Sequence, residues 1–140
     1  MISIELARQL KEAGLVWQAD QYDFFAIPDR DLDDRVFVIT DVMAQLGLLK
    51  GWPVVLFHGT AEWALDYILT TEVIWLPTEE QLRGALLEHL HDEPQRMLQL
   101  RLEDGAYLCQ VAFHGASLSA TAATAGEAYA LTLLALLRGP

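Results

Sequence analysis

Apolar residues are most concentrated near the end of the chain, over residues 124–137, which read TAGEAYALTLLALL. From Ala128 to Leu137 the only polar side-chain atoms are the hydroxyls of Tyr129 and Thr132. Wound at about 3.6 residues per turn, this segment places leucines on every side of a helix. The pattern therefore predicts a final helix that is buried all round, covered either by its own chain or by the same helix of a second copy.

The preceding residues predict a helix followed by three strands. Thr78 and Gln81 form a capping box for the helix. Three stretches then alternate apolar and polar residues with the period of a β-strand, and Asp104-Gly105 and His114-Gly115 supply tight hairpin turns. The apolar positions are Leu82, Leu86 and Leu90 in the helix, then Leu98, Leu100 and Leu102, then Tyr107, Cys109, Val111 and Phe113, and finally Leu118, Ala120 and Ala122.

The first half of the chain predicts a similar mixture of short elements. The segments are a helix over 3–13, strands over 22–27 and 36–39, a helix over 40–49, a strand over 54–57, a helix over 60–69 and a short apolar run over 73–76. The helix over 40–49 rests on the helical spacing of Val42, Leu46 and Leu49, with Gly51 and Pro53 as its end. The segment over 60–69 begins with a capping threonine and has an apolar stripe.

These elements predict an α+β fold in which antiparallel β-sheets pack with helices. The length favours a single domain over residues 1–140. Two arrangements are open: two similar helix-strand-strand-strand-helix halves, residues 1–76 and 77–140, or one continuous sheet. The tripeptide FHG recurs at Phe57 and Phe113, which is a weak sign of an internal repeat.

Residues 78–137 resemble the phage-type ABA sandwich domain, a module of one helix, three antiparallel strands and a second helix. The resemblance rests on YLCQVAFHG, which begins at Tyr107, and on ATAGEAYALTLLALL, which begins at Ala123. Over more of the chain, EWALDYIL from Glu62 and EVIWLPTEEQLRGAL from Glu72 resemble small uncharacterised bacterial proteins. The resemblance implies a fold and a bacterial or phage origin, and it supplies no catalytic motif.

The amino-acid composition limits the classes of protein to which this chain can belong. Hydrophobic residues make up 53% of the chain and charged residues 21%, which indicates an ordered domain. The apolar runs fall short of the ~20 residues that a membrane span needs, and the first residues do not read as a secretory leader, so we expect a cytoplasmic protein without membrane association. The single cysteine, Cys109, lies in a predicted strand and is interpreted as an inert packing residue.

The formal net charge of −11 repels the phosphate backbone of nucleic acids. Strand, hairpin, strand and helix also resemble the C-terminal half of a double-stranded RNA-binding domain. That module needs basic residues at the start of its last helix, where this chain has Ala125, Gly126 and Glu127. The charge therefore predicts no nucleic-acid partner and favours a basic protein partner.

Two clusters could bind a metal ion. Glu88 and His91 have the i, i+3 spacing of carboxylate-bridged metal sites, although such sites need further ligands from other helices. Four aspartates lie within residues 29–34, but this loop lacks the glycine and the glutamate of a calcium-binding EF-hand. For the aspartates of residues 29–34, a solvated loop is the simpler interpretation. We predict no cofactor for this protein.

Three residues are candidates for a polar site. His58 and His114 precede glycines at the ends of apolar strands, and Asp66 could orient a histidine that acts as a general base. The sequence contains none of the common hydrolase or phosphate-binding motifs, so we name no catalytic residue. Turn positions are the simpler interpretation of both histidines.

Trp17 and Trp52 lie in connections that should reach the surface, where they could form an aromatic contact patch. The first hypothesis is a non-enzymatic protein-interaction module of a bacterial or phage cytoplasm, acting through an acidic surface and forming a homodimer. The alternative is a small hydrolase or metal-dependent enzyme that uses His58 or the cluster over residues 88–93.

Overall fold

The computed structural model describes residues 1–28, 35–40, 44–57 and 67–139. In chain order the elements are α1 (Ile4–Glu12), β1 (Phe24–Ala26), β2 (Phe37–Val38), β3 (Ala44–Leu49), β4 (Trp52–Phe57), β5 (Tyr67–Leu69), a 3-10 turn (Thr70–Glu72), β6 (Ile74–Leu76), α2 (Glu79–His89), β7 (Met97–Glu103), β8 (Ala106–Phe113), β9 (Ala116–Ala122) and α3 (Ala125–Arg138). These helices and antiparallel sheets confirm the predicted α+β class. Within the described ranges, every helix is too short or too polar to cross a membrane.

The chain forms two compact units. The first unit consists of residues 1–15 together with 77–140, and the second unit consists of residues 16–76. The N-terminal helix α1 therefore belongs with the C-terminal part of the chain, although more than sixty residues separate them in sequence.

The helices of the first unit begin at side-chain caps. The hydroxyl oxygen of Thr78 accepts from the backbone N–H of Gln81 at 3.2 Å, and the Gln81 side chain accepts from the Thr78 backbone N–H at 2.9 Å. At the start of α3, the Thr124 hydroxyl accepts from the Glu127 N–H at 3.2 Å. Because the first N–H groups of a helix have no partner within the helix, these caps set where α2 and α3 begin.

The sheet of the first unit has the order β7-β8-β9, and all of its pairs are antiparallel. Two-residue turns join the strands: Asp104 and Gly105 have φ angles of 51° and 77°, and His114 and Gly115 have φ angles of 45° and 80°. Positive φ at both central residues gives a turn whose twist matches that of the strands. The register places Cys109 opposite residues 100 and 120, so the predicted apolar positions share one face.

The helix α3 lies at the centre of the first unit. It packs against α1, α2, β8 and β9, and its buried residues include Ala128, Leu133 and Leu136. The buried hydroxyl of Thr132 donates to the Ala128 carbonyl oxygen at 2.9 Å, which satisfies its hydrogen bond inside the helix. The predicted burial of this helix is confirmed, and four elements of the same chain supply its cover.

The second unit contains two three-stranded sheets, with strand orders β2-β1-β6 and β3-β4-β5. Four aromatic rings form a row: the ring of Phe25 stacks on Trp17 at 5.8 Å and on Phe37 at 5.5 Å, and Phe37 meets the edge of Phe57 at 6.4 Å. The buried core draws residues from both sheets: Phe25, Ile27, Ile39, Ala44, Val55, Ile68 and Val73.

The predicted helix over residues 40–49 is wrong, because Ala44–Leu49 forms strand β3 and pairs along its length with β4. Lys50 and Gly51 close this hairpin with φ angles of 51° and 86°, so the glycine that was expected to end a helix is a turn residue. Helical spacing over so few residues is a weak signal, and pairing with β4 outweighs it. Residues 41–43 lie outside the described ranges.

The predicted helix over residues 60–69 is wrong at its end, where Tyr67–Leu69 forms strand β5 and pairs with β4. Its residues 60–66 lie outside the described ranges. The apolar run over 73–76 contains β6, which pairs antiparallel with β1. The remaining helices and strands lie within or close to the bounds that the sequence predicts.

Candidate functional site

One face of the sheet β3-β4-β5 carries a concave surface lined by apolar, aromatic and charged side chains. Residues directly opposite in an antiparallel pair lie on the same face, and the register sets Leu49 opposite Trp52 and Val54 opposite Leu69. The concavity encloses about 480 Å³. We call it the aromatic hollow, and the lining residues that the structure describes are Leu49, Lys50, Trp52, Val54, Tyr67, Leu69 and Glu72.

A short hairpin positions the ring of Trp52. Leu49 and Trp52 are the last pair of the β3-β4 ladder, and only Lys50 and Gly51 connect them. Because the positive φ angles of both turn residues match the twist of the strands, the turn fixes the register of the hairpin. Trp52 therefore stands on ordered β-structure beside the tight turn.

Exposed aromatic residues surround a buried floor. Val54 is completely buried, whereas Trp52 is 66% exposed and Tyr67 is 47% exposed. A large apolar side chain left in water forgoes about 2 kcal/mol of burial free energy, so two such rings on one face are a feature that folding alone does not favour. Tryptophan and tyrosine are also enriched among the residues that dominate binding energy at protein interfaces.

Two charged residues flank the apolar lining. Lys50 lies in the hairpin turn, and Glu72 lies in the 3-10 turn that follows β5. Among the residues that the structure describes, the lining contains no serine, threonine, cysteine or histidine, so this part of it lacks the side chains that usually make a nucleophile with its general base. The aromatic hollow is suited to holding an apolar group with polar neighbours.

The two predicted contact tryptophans have different environments. Trp52 lines the aromatic hollow. Trp17 is half-buried, because its ring stacks on Phe25 and its indole N–H donates to the Asp23 carboxylate at 2.9 Å. Trp17 is not among the lining residues, and its contacts are those of a packing residue.

The predicted site residues of the first unit lie at exposed ends of elements. His114 is the first residue of the turn between β8 and β9, and its backbone N–H donates to the Pro94 carbonyl oxygen at 3.1 Å. Glu88 and His91 are both exposed at the C-terminal end of α2, where the His91 backbone N–H donates to the Glu88 carbonyl oxygen at 3.2 Å. Among the described residues, no three histidine, cysteine, aspartate or glutamate side chains are arranged so that they could hold a metal ion.

The other predicted polar residues, His58, Asp66 and the aspartates of residues 29–34, lie outside the described ranges. Their proposed roles stay predictions. Of the predicted site residues that the structure describes, Trp52 alone lines the aromatic hollow.

Cys109 is completely buried in β8, as its place in the alternating pattern predicts. Burial raises the pKa of its thiol, and a hydrogen bond with Thr132 opposes this effect. Since the thiolate is the reactive form, burial favours the unreactive form at neutral pH.

No family model, curated protein or solved structure matches this chain. The order α2, β7, β8, β9, α3 agrees with the expected helix, three strands and helix. The resemblance of residues 78–137 to the phage-type ABA sandwich domain stays a prediction.

The sequence pattern missed most of the lining of the aromatic hollow. Tyr67 and Leu69 were assigned to a helix, whereas the register of β5 against β4 places them beside Val54. Lys50-Gly51 was a usable signal, because glycine as the second residue of a two-residue turn is typical of hairpins. A hairpin there would have placed Leu49 and Trp52 on one face.

Proposed function

We propose that this protein is a non-enzymatic protein-interaction module and that the aromatic hollow is its contact site. The observation that carries this proposal is the exposure of Trp52 and Tyr67 on one sheet face above the buried floor at Val54. Few interface residues supply most of the binding energy, and buried aromatic anchors are foremost among them. The hollow offers such anchors on an ordered sheet.

The proposed partner is a basic protein segment that inserts an apolar side chain. A concavity of about 480 Å³ has room for one or two large side chains. The net charge of −11 attracts a basic partner at long range and speeds its association. Glu72 adds a negative charge to the lining of the hollow.

Selection from a random peptide library on the immobilised protein tests this function. We expect enrichment of peptides with a leucine or aromatic anchor and neighbouring basic residues. Trp52→Ala should weaken their binding at least tenfold, since loss of an interface tryptophan typically costs 2 kcal/mol or more. Isothermal titration calorimetry measures the Kd of each selected peptide.

The matched control is Leu48→Ala on the same hairpin. Leu48 is 74% exposed, and alternation along β3 places it on the opposite face from Leu49. Peptides that bind the aromatic hollow should bind this variant with unchanged Kd. Selected peptides that bind Trp52→Ala as tightly as the unmodified protein would contradict the proposed site.

The alternative function, a small hydrolase or metal-dependent enzyme, has less support. The described lining of the hollow has no nucleophile, and Glu88, His91 and His114 are exposed at the ends of elements. Stoichiometric zinc or manganese in protein purified without a histidine tag would favour that alternative. The bacterial or phage origin, the cytoplasmic location and the homodimer stay predictions.

A further inference from the structure

Strand β7 is an edge of the sheet in the first unit. Within the described part of the chain, β8 is the only strand that pairs with it, over the full length Met97–Glu103. Alternate residues of an edge strand direct their N–H and C=O groups away from the sheet, where a further strand can pair with them. β7 has no proline or lysine, two residues that commonly block edge pairing, and its two charged residues, Arg101 and Glu103, pair with each other.

The buried face of the sheet is incompletely covered at this edge. Leu98, Leu100 and Leu102 share the face of the buried Cys109 and Val111. The helix α3 packs on β8 and β9, and exposure increases along β7: Leu98 and Leu100 are half-buried, and Leu102 is 59% exposed. A row of three leucines thus reaches the open edge.

The charges at the two ends of β7 have opposite signs. Arg96 precedes the strand, and Asp104 follows it in the turn to β8. An antiparallel copy of the same segment would bring each arginine to the other copy's aspartate. A parallel copy would set like charges side by side, which is unfavourable. Within the strand, Arg101 pairs with Glu103 of the same chain at 3.6 Å, so these two charges largely balance each other.

We propose that two copies of the chain associate through β7 in antiparallel register, with Leu100 opposite Leu100 of the second copy, to form a six-stranded sheet. In this register every residue of β7 has a partner. Leu98 meets Leu102, and Arg96 meets Asp104, twice each because of the two-fold symmetry. The dimer uses the first unit and does not depend on the aromatic hollow.

The β7 strand of a second copy pairs better with β7 than with β9, which is the other edge strand of the same sheet. β9, which reads ASLSATA, carries mainly alanine on its covered face and has no charged residue to set a register. Pairing of β7 with β9 would also be head-to-tail, and such contacts generate open chains unless the rotation closes a ring. Pairing of β7 with itself closes after two copies. The helix α3, whose apolar surface first suggested a homodimer, is covered by its own chain.

Light scattering over a range of concentrations measures the association. We expect the mass to rise from 15.7 kDa towards twice that value. Leu102→Lys should raise the dimer Kd about tenfold or more, because symmetry doubles the lost leucine contact. The control is Leu48→Lys, which makes the same substitution at a residue that is 74% exposed in the second unit. That variant should dimerise with unchanged Kd.

A charge exchange tests the orientation. Arg96→Glu and Asp104→Lys should each weaken the dimer severalfold, and the double variant should restore it, since the ion pairs re-form with reversed signs. Lysine is tolerable at position 104, because Lys50 occupies the equivalent position of the other tight turn with the same φ angle of 51°. If the single substitutions weakened the dimer only by destabilising the sheet, the double variant would not regain its dimer affinity.

Three outcomes would overturn the proposal: a monomer at all concentrations, equal weakening by Leu102→Lys and Leu48→Lys, or no recovery in the double variant. Trp52→Ala leaves β7 unchanged and should dimerise normally. A failure of the dimer is therefore distinguishable from a failure of the proposed contact site.

Discussion

At the scale of single residues, Asp23 is a buried carboxylate that organises the start of the second unit. It is 4% exposed and accepts the indole N–H of Trp17 at 2.9 Å and the backbone N–H of Asp20 at 3.0 Å. A buried carboxylate is tolerated only when such donors replace its water. The same bonds orient the Trp17 ring against Phe25, so Trp17 supports the core while Trp52 remains available for contacts.

Cys109 makes the stability of the protein depend on pH in the alkaline range. Burial raises the pKa of its thiol above the ordinary value of 9.0, so the folded protein holds this proton to higher pH than the unfolded chain does. The resulting stability is fully present below the unfolded pKa and is lost as the pH rises through the folded pKa. We therefore expect the free energy of unfolding to fall above the ordinary thiol pKa, by about 1.4 kcal/mol per unit of pKa shift.

Urea unfolding of the unmodified protein and of Cys109→Ala, compared from neutral to alkaline pH, measures this contribution. Because tyrosines and lysines titrate in both proteins, the difference between the two isolates the thiol. The stability advantage of the unmodified protein should shrink as the pH rises. A difference that stays constant with pH would show that the thiol pKa is not raised by folding.

At the scale of elements, the β3-β4 hairpin depends on its two turn residues. Gly51 has a φ angle of 86°, so Gly51→Ala should destabilise the protein by about 1 kcal/mol or more. Lys50→Asn should stabilise it by a few tenths of a kcal/mol, because Asn-Gly is the preferred pair for this turn. Urea unfolding followed by tryptophan fluorescence measures both changes.

Gly84→Ala is the matched control for Gly51→Ala. Gly84 lies in the interior of α2, where an added Cβ would meet no atom within 4 Å, and alanine favours helices over glycine by about 1 kcal/mol. The same chemical change should thus stabilise the protein at one position and destabilise it at the other. Stabilisation by Gly51→Ala would be incompatible with the hairpin.

The same hairpin shows why some elements were predictable from the sequence and others were not. The starts of α2 and α3 depend on Thr78 and Thr124, whose capping bonds are local. The strands β7 and β9 alternate apolar and polar residues, and glycine-containing turns connect both of them to β8. The strands β3 and β5 owe their state to pairing with β4, which short-range spacing does not encode. The aromatic hollow was missed with them, except for Trp52, because its lining is assembled by the register of three strands.

At the scale of the whole molecule, each unit carries its own spectroscopic or chemical reporter. All four tryptophans lie within residues 16–76, and the single cysteine, Cys109, lies in the first unit. The first unit depends on its N-terminal segment, because Leu6, Ala7 and Leu10 of α1 are buried and α1 packs against α3. A destabilising substitution in α1 should therefore also destabilise the structure around Cys109, which is far away in sequence.

Leu10→Ala should expose Cys109 to a thiol reagent at lower urea concentration, since truncating a fully buried leucine typically costs 2–5 kcal/mol. The midpoint of the tryptophan fluorescence transition should change less, because that signal reports the second unit. Ile39→Ala, at a fully buried position in the core of the second unit, should shift the midpoint of the tryptophan fluorescence transition more than the urea concentration at which Cys109 becomes reactive. If both substitutions shifted both midpoints equally, the two units would unfold as one cooperative body, and the division of the core between them would have no energetic meaning.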